Sequence, residues 1–548
     1  VFNALTPCCR AGMLTVRSCP ANSRRSRRRW RTPAWARSCP TPYDSTPRCT
    51  PGAPAVTEGS RTLTYAELDR RGNRVGQALL AAGLPKGAHV GYLVRPGVLS
   101  AELLMGCAKA GLVATPLNWR LAERELVAVA QDAELAVVLT QTEFLPGARA
   151  VRAALPGITL VTESEADAGE HTYEKWLAAA GDVDPGAGSE DAVFLQLYTS
   201  GTTGLPKGVQ LTLNNCSASE AQLCEMGWTT ASVSLNVMPV FHIAGTGWLV
   251  NALAAGAHTV LVPDLVPAAV VDLMERHRVT HTFFVPAILH LLTALPDIDE
   301  RDFSALQLIV YGASPITPAL LRRSMEAFGC GFYQKYGLTE TTGSAARLLP
   351  EDHVVDGPRS ALLRSAGNVW PEVEVAIADP VTGDHVAPGV VGEILTRSRQ
   401  VTPGYWKRPR ENEALFTADG WLRTGDAGYL DKDGYLFVTD RMKDMVITGG
   451  ENVYPIEVES LLAEHPAVLD VAVFGTPDEL WGEAVTAAVV LRPGTDAVTA
   501  QDLIDFARER IASYKKPRIV HFVGELPRNP SGKILKRVLR QNLAPREP

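Results

Sequence analysis

From Ala53 onward the chain alternates short apolar runs with longer stretches in which apolar residues recur every three or four positions. "APAVTEG" and "RTLTY" read as two short strands about a Glu-Gly turn. Thr64 then opens a helix with Glu67 three residues on, the spacing of a capping box, and Leu68, Val75 and Leu79 mark its buried stripe before Gly83 ends it. "HVGYLV" reads as a buried strand, followed by an apolar helix around Ala101 to Ala110 and a turn at "ATPLN". The runs "AVVLT", "ITLVT", "VFLQLYT", "VSLNVMP", "HTVLVP", "HTFFVP" and "LQLIVYGAS" each sit between helical stretches. That rhythm predicts an α/β fold with largely parallel, buried sheets.

The texture changes near Val369, where "VEVAIADPVTGDHVAPGVVGEILTRS" is short-stranded and turn-rich, predicting a small β subdomain. Beyond "GYLFVTDRMKD" comes "MVITGGENVYP", a helix from Ile456 to Glu464, two strands, a helix from Ala500 to Ile511, and "RIVHFV". This predicts a second, small α+β domain of ordinary size, with the junction near Asp440. The division is therefore 1–52 as an atypical segment, 53–439 as a large N-terminal domain of βαβ-type subdomains plus the small β subdomain, and 440–548 as a small C-terminal domain.

Length and charge narrow the class. With 548 residues and 46% hydrophobic composition, two or more domains can each bury a core. A net charge of -7 gives no case for nucleic acid, and no run of eighteen apolar residues occurs. The first fifty residues differ sharply: they hold five of the nine cysteines, ten arginines, no lysine and one acid, Asp44. "RRSRRRW" lacks a following apolar segment, so the expectation is a misassigned or disordered start rather than an export signal. Cys107, Cys216, Cys224 and Cys330 have neither metal spacing nor a disulfide framework, which points to a reducing cytoplasm.

Chemistry enters at "YTSGTTGLPKGV", Tyr198 to Val209, directly after the strand-like "VFLQLYT". Hydroxyls and bare backbone alternate here through Thr199, Ser200, Gly201, Thr202, Thr203 and Gly204, with Lys207 to neutralise an anion. It is not a P-loop, because Pro206 and Gly208 flank the lysine where that motif needs glycine and a hydroxyl. A loop over 199–208 suits the pyrophosphate end of a nucleotide, and a flexible surface loop is the plain alternative.

Four further motifs follow in order: "YGLTE" at Tyr336 to Glu340, "WLRTGD" at Trp421 to Asp426, "DRMKDMVITGGENVYPIEVE" at Asp440 to Glu459, and "NPSGKILKR" at Asn529 to Arg537. Together with the loop they resemble the adenylate-forming enzymes, which include acyl-CoA synthetases, coumarate-CoA ligases, firefly luciferase and peptide-synthetase adenylation domains. The resemblance spans Ala53 to Leu543. It implies that Glu340 binds magnesium with Thr199, near Thr339, and that Tyr336 faces adenine with Gly312, Ala313 and Ser314 opposite. Asp426 would chelate the ribose hydroxyls, a task suited to two acceptor oxygens, joined by Arg441. Lys533 would reach from the small domain to the carboxylate and α-phosphate, and Asp440 would be the hinge about which that small domain is mobile. Gly449, Gly450 and Trp481 would line the path of the pantetheine arm, although Trp481 as plain core competes.

His242 matches the family's aromatic or histidine gate, though a lone histidine is more often structural. No acid occurs in "HIAGTG", so an acyl pocket of His242, Ala244, Gly245, Trp248, Tyr311 and Gly337 reads as uncharged, its small residues leaving space. The resemblance implies a cytoplasmic acid–thiol ligase of fatty acid metabolism using ATP, Mg2+ and coenzyme A, with no transmembrane segment and a homodimer as an open assembly. Its acid would be a medium or long fatty acid, with aryl or coumarate-like acids as the alternative. A carrier protein as acceptor is a rival reading, disfavoured by the absence of a carrier domain after Pro548. An inactive nucleotide-binding protein is another.

Overall fold

The computed structural model describes residues 50–164, 167, 169–186, 189–199, 206–217, 220–314, 316–442, 444–448, 451–478, 481–495, 497–528 and 534–543, with backbone alone at Glu220, Asp440, Arg441, Glu451 and Asn452. The predicted site residues Ser200 to Gly204, Gly449, Gly450 and Lys533 lie outside these, as does the atypical segment up to residue 49. The chain forms two compact units: one runs to Leu265 and adds Arg276–Thr282, the other comprises Val266–Glu275 and everything from Phe283.

In the first unit, β1 (Pro54–Glu58) and β2 (Arg61–Thr64) form the predicted hairpin. The helix α1 (Tyr65–Ala81) follows, its N-terminus closed by Thr64 Oγ1 accepting from the Glu67 amide while the Glu67 carboxylate accepts from the Thr64 amide. Next come β3 (His89–Leu93), α2 (Val98–Ala110) and β4 (Val113–Pro116). Glycines let the two helices close in on each other. A Cβ at Gly106 would lie 2.3 Å from Val75 Cγ1, and one at Gly72 would lie 2.6 Å from Met105 Cγ.

The predicted turn at "ATPLN" is a correction, because Ala114, Thr115 and Pro116 belong to β4, paired with β3. Proline is tolerated at the last strand position because the ladder resumes at Leu117, whose amide donates to the Tyr92 carbonyl.

The unit continues with β5 (Val137–Thr140), β6 (Thr159–Thr162), β7 (His171–Thr172), β8 (Val193–Thr199) and β9 (Lys207–Thr212). These strands pair in the order β9-β8-β4-β3-β5-β6-β7, parallel throughout except for β8 against β9. Then follow β10 (Val233–Asn236), β11 (His258–Leu261) and β12 (His281–Phe284). β10 lies between β11 and the first two residues of β12, and β11 pairs with β1, all in parallel.

In the second unit, β13 (Leu308–Gly312) and β14 (Gly331–Tyr336) are parallel. They lead into an antiparallel run built from β15 (Ala346–Leu348), β16 (Gly367–Val369), β17 (Glu374–Ala378) and β18 (Gly392–Arg397), then β20 (Leu422–Leu430) and β21 (Tyr435–Arg441), while the two-residue β19 (Gly404–Tyr405) stands outside that run. The order is β13-β14-β15-β16-β21-β20-β18-β17, which is the predicted change of texture. β22 (Val446–Thr448), β23 (Glu451–Val453), β24 (Val468–Asp478), β25 (Gly482–Leu491) and β26 (Ile519–Phe522) make a separate five-stranded sheet, the last parallel to β25. Its apolar face packs Val458, Leu462 and Leu503 from two helices against Val473, Val485 and Val489. Among the described residues, no helix is long and apolar enough to cross a membrane.

Candidate active site

The glycine-threonine stretch joins two antiparallel strands. Lys207 begins β9 and is the register partner of Thr199 at the end of β8, so the predicted 199–208 loop is shorter by both ends. The alternation that extends the strand was present in "KGVQLT": Val209 and Leu211 are fully buried. Beneath the hairpin a directional chain of hydrogen bonds ties β8 down. His89 Nε2 donates to Gln196 Oε1 (3.1 Å), Gln196 Nε2 to the Tyr198 hydroxyl (3.2 Å), and Tyr198 to Asp132 (2.8 Å). Gly208 permits this, since a Cβ there would lie 2.6 Å from Gln196 Nε2.

His242 caps the helix Ile243–Ala254 with extended backbone. Its ring meets Phe241 edge-on at 4.6 Å, and Phe241 meets Trp119 edge-on at 5.9 Å. Trp119 stacks on Phe144 at 5.3 Å, and the Arg120 guanidinium lies 4.5 Å from the Trp119 ring and 5.9 Å from Phe241. Burial first, then the positive charge of Arg120, push the His242 imidazole down to about 4, so it is neutral at pH 7. Two buried nitrogens in this cluster, His242 Nε2 and Trp119 Nε1, have no hydrogen-bond partner among the described residues. An unmet buried polar atom costs about 1–3 kcal/mol, so such a pair marks a surface where a ligand or water completes the bonding. The sequence reading missed Trp119 and Arg120; their signal was the aromatic-arginine pair placed just past the end of β4.

Other residues assigned to the acyl pocket have defined partners within the fold. Trp248 is buried, donates to the Leu235 carbonyl (3.2 Å) and meets Trp228 edge-on. Tyr311 is fully buried in β13 with its hydroxyl 3.0 Å from His353 Nε2. A Cβ at Gly245 would lie 2.2 Å from the Pro239 carbonyl oxygen, and one at Gly337 would lie 2.4 Å from the Ser344 nitrogen. Neighbouring backbone requires glycine at both positions, a reason for the small residues that the sequence reading did not give. Ala244 is half-buried.

In the second unit, the ends of β13 and β14 carry the predicted nucleotide residues. Gly312 is required by close approach, with a Cβ there 2.3 Å from the Lys335 carbonyl oxygen. Ala313 follows with φ +66°, a left-handed conformation that a non-glycine residue adopts at a cost and that recurs at binding sites. The Tyr336 hydroxyl donates to Asp426 Oδ2 at 2.7 Å. Asp426 is almost wholly buried, its amide donates to Thr424 Oγ1, and its register partner across β20 and β21 is Arg441, with Ala427 opposite Asp440.

Glu340 sits with Thr339 in a single turn of 3₁₀ helix. Its Oε1 accepts from the Tyr405 hydroxyl (2.8 Å), its carbonyl accepts from the Thr402 amide (2.8 Å), and Thr342 Oγ1 donates to the Gln400 carbonyl (2.7 Å). One carboxylate oxygen is thus fixed in place, an arrangement that fits a hard cation on the other oxygen. Trp481 is 37% exposed with the Arg518 guanidinium 4.1 Å from its ring, so it is not plain core.

The sequence of the whole chain decides the lineage. The AMP-binding enzyme family model matches residues 43–406, and the model of the AMP-binding enzyme C-terminal domain matches 457–533. The chain belongs to the AMP-binding enzymes. The enzyme class implied by the motifs, an AMP-forming acid–thiol ligase, follows with the family.

A fatty acid–acyl-carrier-protein ligase of Streptomyces coeruleorubidus is 40% identical over 497 residues, covering 89% of this chain and 93% of its own. An indoleacetate–CoA ligase of Aromatoleum aromaticum is 38% identical, with 90% and 96% covered. The crystal structure of ATP-bound MatB from Rhodopseudomonas palustris superposes with a TM-score of 0.82 at 31% identity, covering 90% of this chain and 96% of that one. The adenylate-forming fold and an ATP-using family are therefore established for this AMP-binding enzyme.

Proposed function

We propose that this AMP-binding enzyme activates a carboxylic acid with ATP and transfers the acyl group to coenzyme A. In the first half-reaction an acid oxygen attacks the α-phosphate and pyrophosphate leaves. In the second, a thiol attacks the acyl carbon and AMP leaves. The observation that carries this reading is the hydrogen bond from Tyr336, at the end of β14 beside the Gly312 pinch, to Asp426 within β20, with Arg441 in register opposite.

In this reading Asp426 and Arg441 hold ribose, and Tyr336, Gly312, Ala313 and Ser314 hold adenine. Thr199 to Gly204 and Lys207 hold the phosphates. Magnesium bound by Glu340 and Thr199 would neutralise phosphate charge. Lys533 stabilises the charge that develops on the transferring groups, and a neutral His242 borders the acid. Asp440 is the hinge between domains 53–439 and 440–548, and motion about it brings Gly449, Gly450 and Trp481 to the thiol. Fatty acids lead among substrates, and aryl acids are supported by the aromatic wall of Trp119, Phe241 and His242.

A second reading, transfer to a carrier protein, is favoured by the 40% identity to a carrier-protein ligase. The experiment is mass spectrometry of products from ATP, magnesium and a panel of fatty and aryl acids, with CoA or a phosphopantetheinylated carrier as acceptor. A dominant CoA thioester supports the first reading and acyl-carrier alone the second. No AMP release with any acid removes both.

A further inference from the structure

The segment 398–405 clasps the turn that carries Glu340. The Thr402 amide donates to the Glu340 carbonyl (2.8 Å), Thr342 Oγ1 donates to the Gln400 carbonyl (2.7 Å), and the Tyr405 hydroxyl donates to Glu340 Oε1 (2.8 Å). The turn is also set from within, because the Leu338 amide donates to Thr341 Oγ1 (2.9 Å) and Thr342 holds a left-handed φ of +53°. Asn412 steadies the far end of the clasp, accepting from the Tyr405 amide (2.7 Å) and donating to the Tyr405 carbonyl (2.9 Å).

Gln400 is the exception in this bonded setting. Its backbone is engaged, the carbonyl by Thr342 and the amide by donation to Ser398 Oγ (3.2 Å). Its side chain is 2% exposed, yet neither the carboxamide nitrogen nor the carboxamide oxygen has a hydrogen-bond partner among the described residues. Both atoms bond freely to water in the unfolded chain, so leaving them bare inside the fold costs stability that a methionine of similar length would not. Such a group persists where something enclosed with it completes the bonding, either a resident water or a ligand.

What a carboxamide can take follows from its two ends, one accepting and one donating. A magnesium ion bound by one carboxylate and by phosphate oxygens keeps several of its waters. A hydrated magnesium on Glu340 would therefore present water hydrogens and phosphate oxygens side by side. A carboxamide matches both at once, which neither a carboxylate nor an ammonium can do.

Resting on the ligase reading and its magnesium at Glu340, we propose that Gln400 is a further binding residue for the magnesium-pyrophosphate end of ATP. Its oxygen accepts from a metal-bound water and its nitrogen donates to a pyrophosphate oxygen. The clasp thus serves one ligand twice, through Tyr405 acting on Glu340 and through Gln400 directly.

The test is calorimetric titration of wild type and Gln400→Met with MgATP, with AMP as the control that carries no pyrophosphate, beside the melting temperature without ligand. Met keeps the length and removes both bonding atoms. It should weaken MgATP about tenfold or more, the scale of a hydrogen bond to a charged group, while the Kd for AMP stays within twofold. The free variant should melt no lower than wild type, because an unmet buried amide has given way to an apolar chain of similar shape. Gln400→Asn, which keeps the amide one carbon short, should weaken MgATP as well and serves if the Met variant folds poorly. Unchanged MgATP affinity in both variants overturns the proposal, and a lowered melting temperature beside it assigns the amide to a resident water. Equal weakening of MgATP and AMP would make Gln400 a packing residue and overturn the proposal too. A wild type that binds no MgATP removes the ligase reading, and this proposal with it.

Discussion

The two side-chain clusters described above handle polar atoms in opposite ways. In the second unit both carboxylates that we propose to serve the nucleotide and its metal are held by a tyrosine hydroxyl, Asp426 by Tyr336 and Glu340 by Tyr405. In the first unit the cluster of Trp119, Phe241 and His242 keeps two buried nitrogens with no partner among the described residues. A carboxylate aimed before its ligand arrives costs nothing to orient at the moment of binding. A wall with unmet nitrogens gains when a ligand supplies the missing bonds, and so it selects among ligands. Pre-aimed groups suit a cofactor that never varies, and unmet ones suit the variable substrate.

The largest effect should come from breaking the pre-aimed side. Asp426→Ala removes a buried charged acceptor and should lower kcat/KM for ATP about 100-fold, measured by pyrophosphate release, with the acid preference unchanged. A matching fall in acid discrimination would erase the contrast. Next, Tyr405→Phe leaves Glu340 in place but frees its orientation. It should raise the KM for MgATP about tenfold, and a calorimetric titration of MgATP should weaken in step. An unchanged KM would show that the carboxylate needs no such support.

On the other side, His242→Ala should reorder the acid panel by about three- to tenfold while leaving the Kd for ATP within twofold, because it alters bonding at one wall only. A uniform loss across all acids would make His242 part of general catalysis instead.

The smallest effect concerns stability. His242 and His353 are both held down to about 4 by burial, with Arg120 adding to the first. Their unfolded forms take up a proton near 6.5, so the native state binds fewer protons between those values. Stability is therefore full above about pH 6.5 and falls as pH drops toward 4. His353, the more enclosed of the two, would contribute roughly 3 kcal/mol at most. The melting temperature should drop by a few degrees from pH 7 to pH 5, and His353→Asn should flatten that slope. An equal slope in the variant would assign the pH dependence elsewhere.

Much of this protein could be read along its chain. Apolar alternation placed the strands, Thr64 and Glu67 announced a helix start that the structure closes with both reciprocal bonds, and five motifs in order identified the family. These are local signals, in which spacing of a few residues carries the physics. Sequence reading erred at one turn and was silent elsewhere, wherever the reason lay in a distant neighbour. The proline of "ATPLN" ends a strand because β3 supplies the carbonyl that Leu117 needs. Gly245 and Gly337 are small because backbone presses on them. The Tyr311 hydroxyl is held by His353 forty-two residues away. The tyrosines that aim Asp426 and Glu340 act across ninety and sixty-five positions. Periodicity determined the fold class, and the five motifs carried the resemblance to the family. Which side chains are pinned, pinched or left with unmet bonds was decided only by folding, because those properties belong to pairs of residues that the chain brings together from far apart.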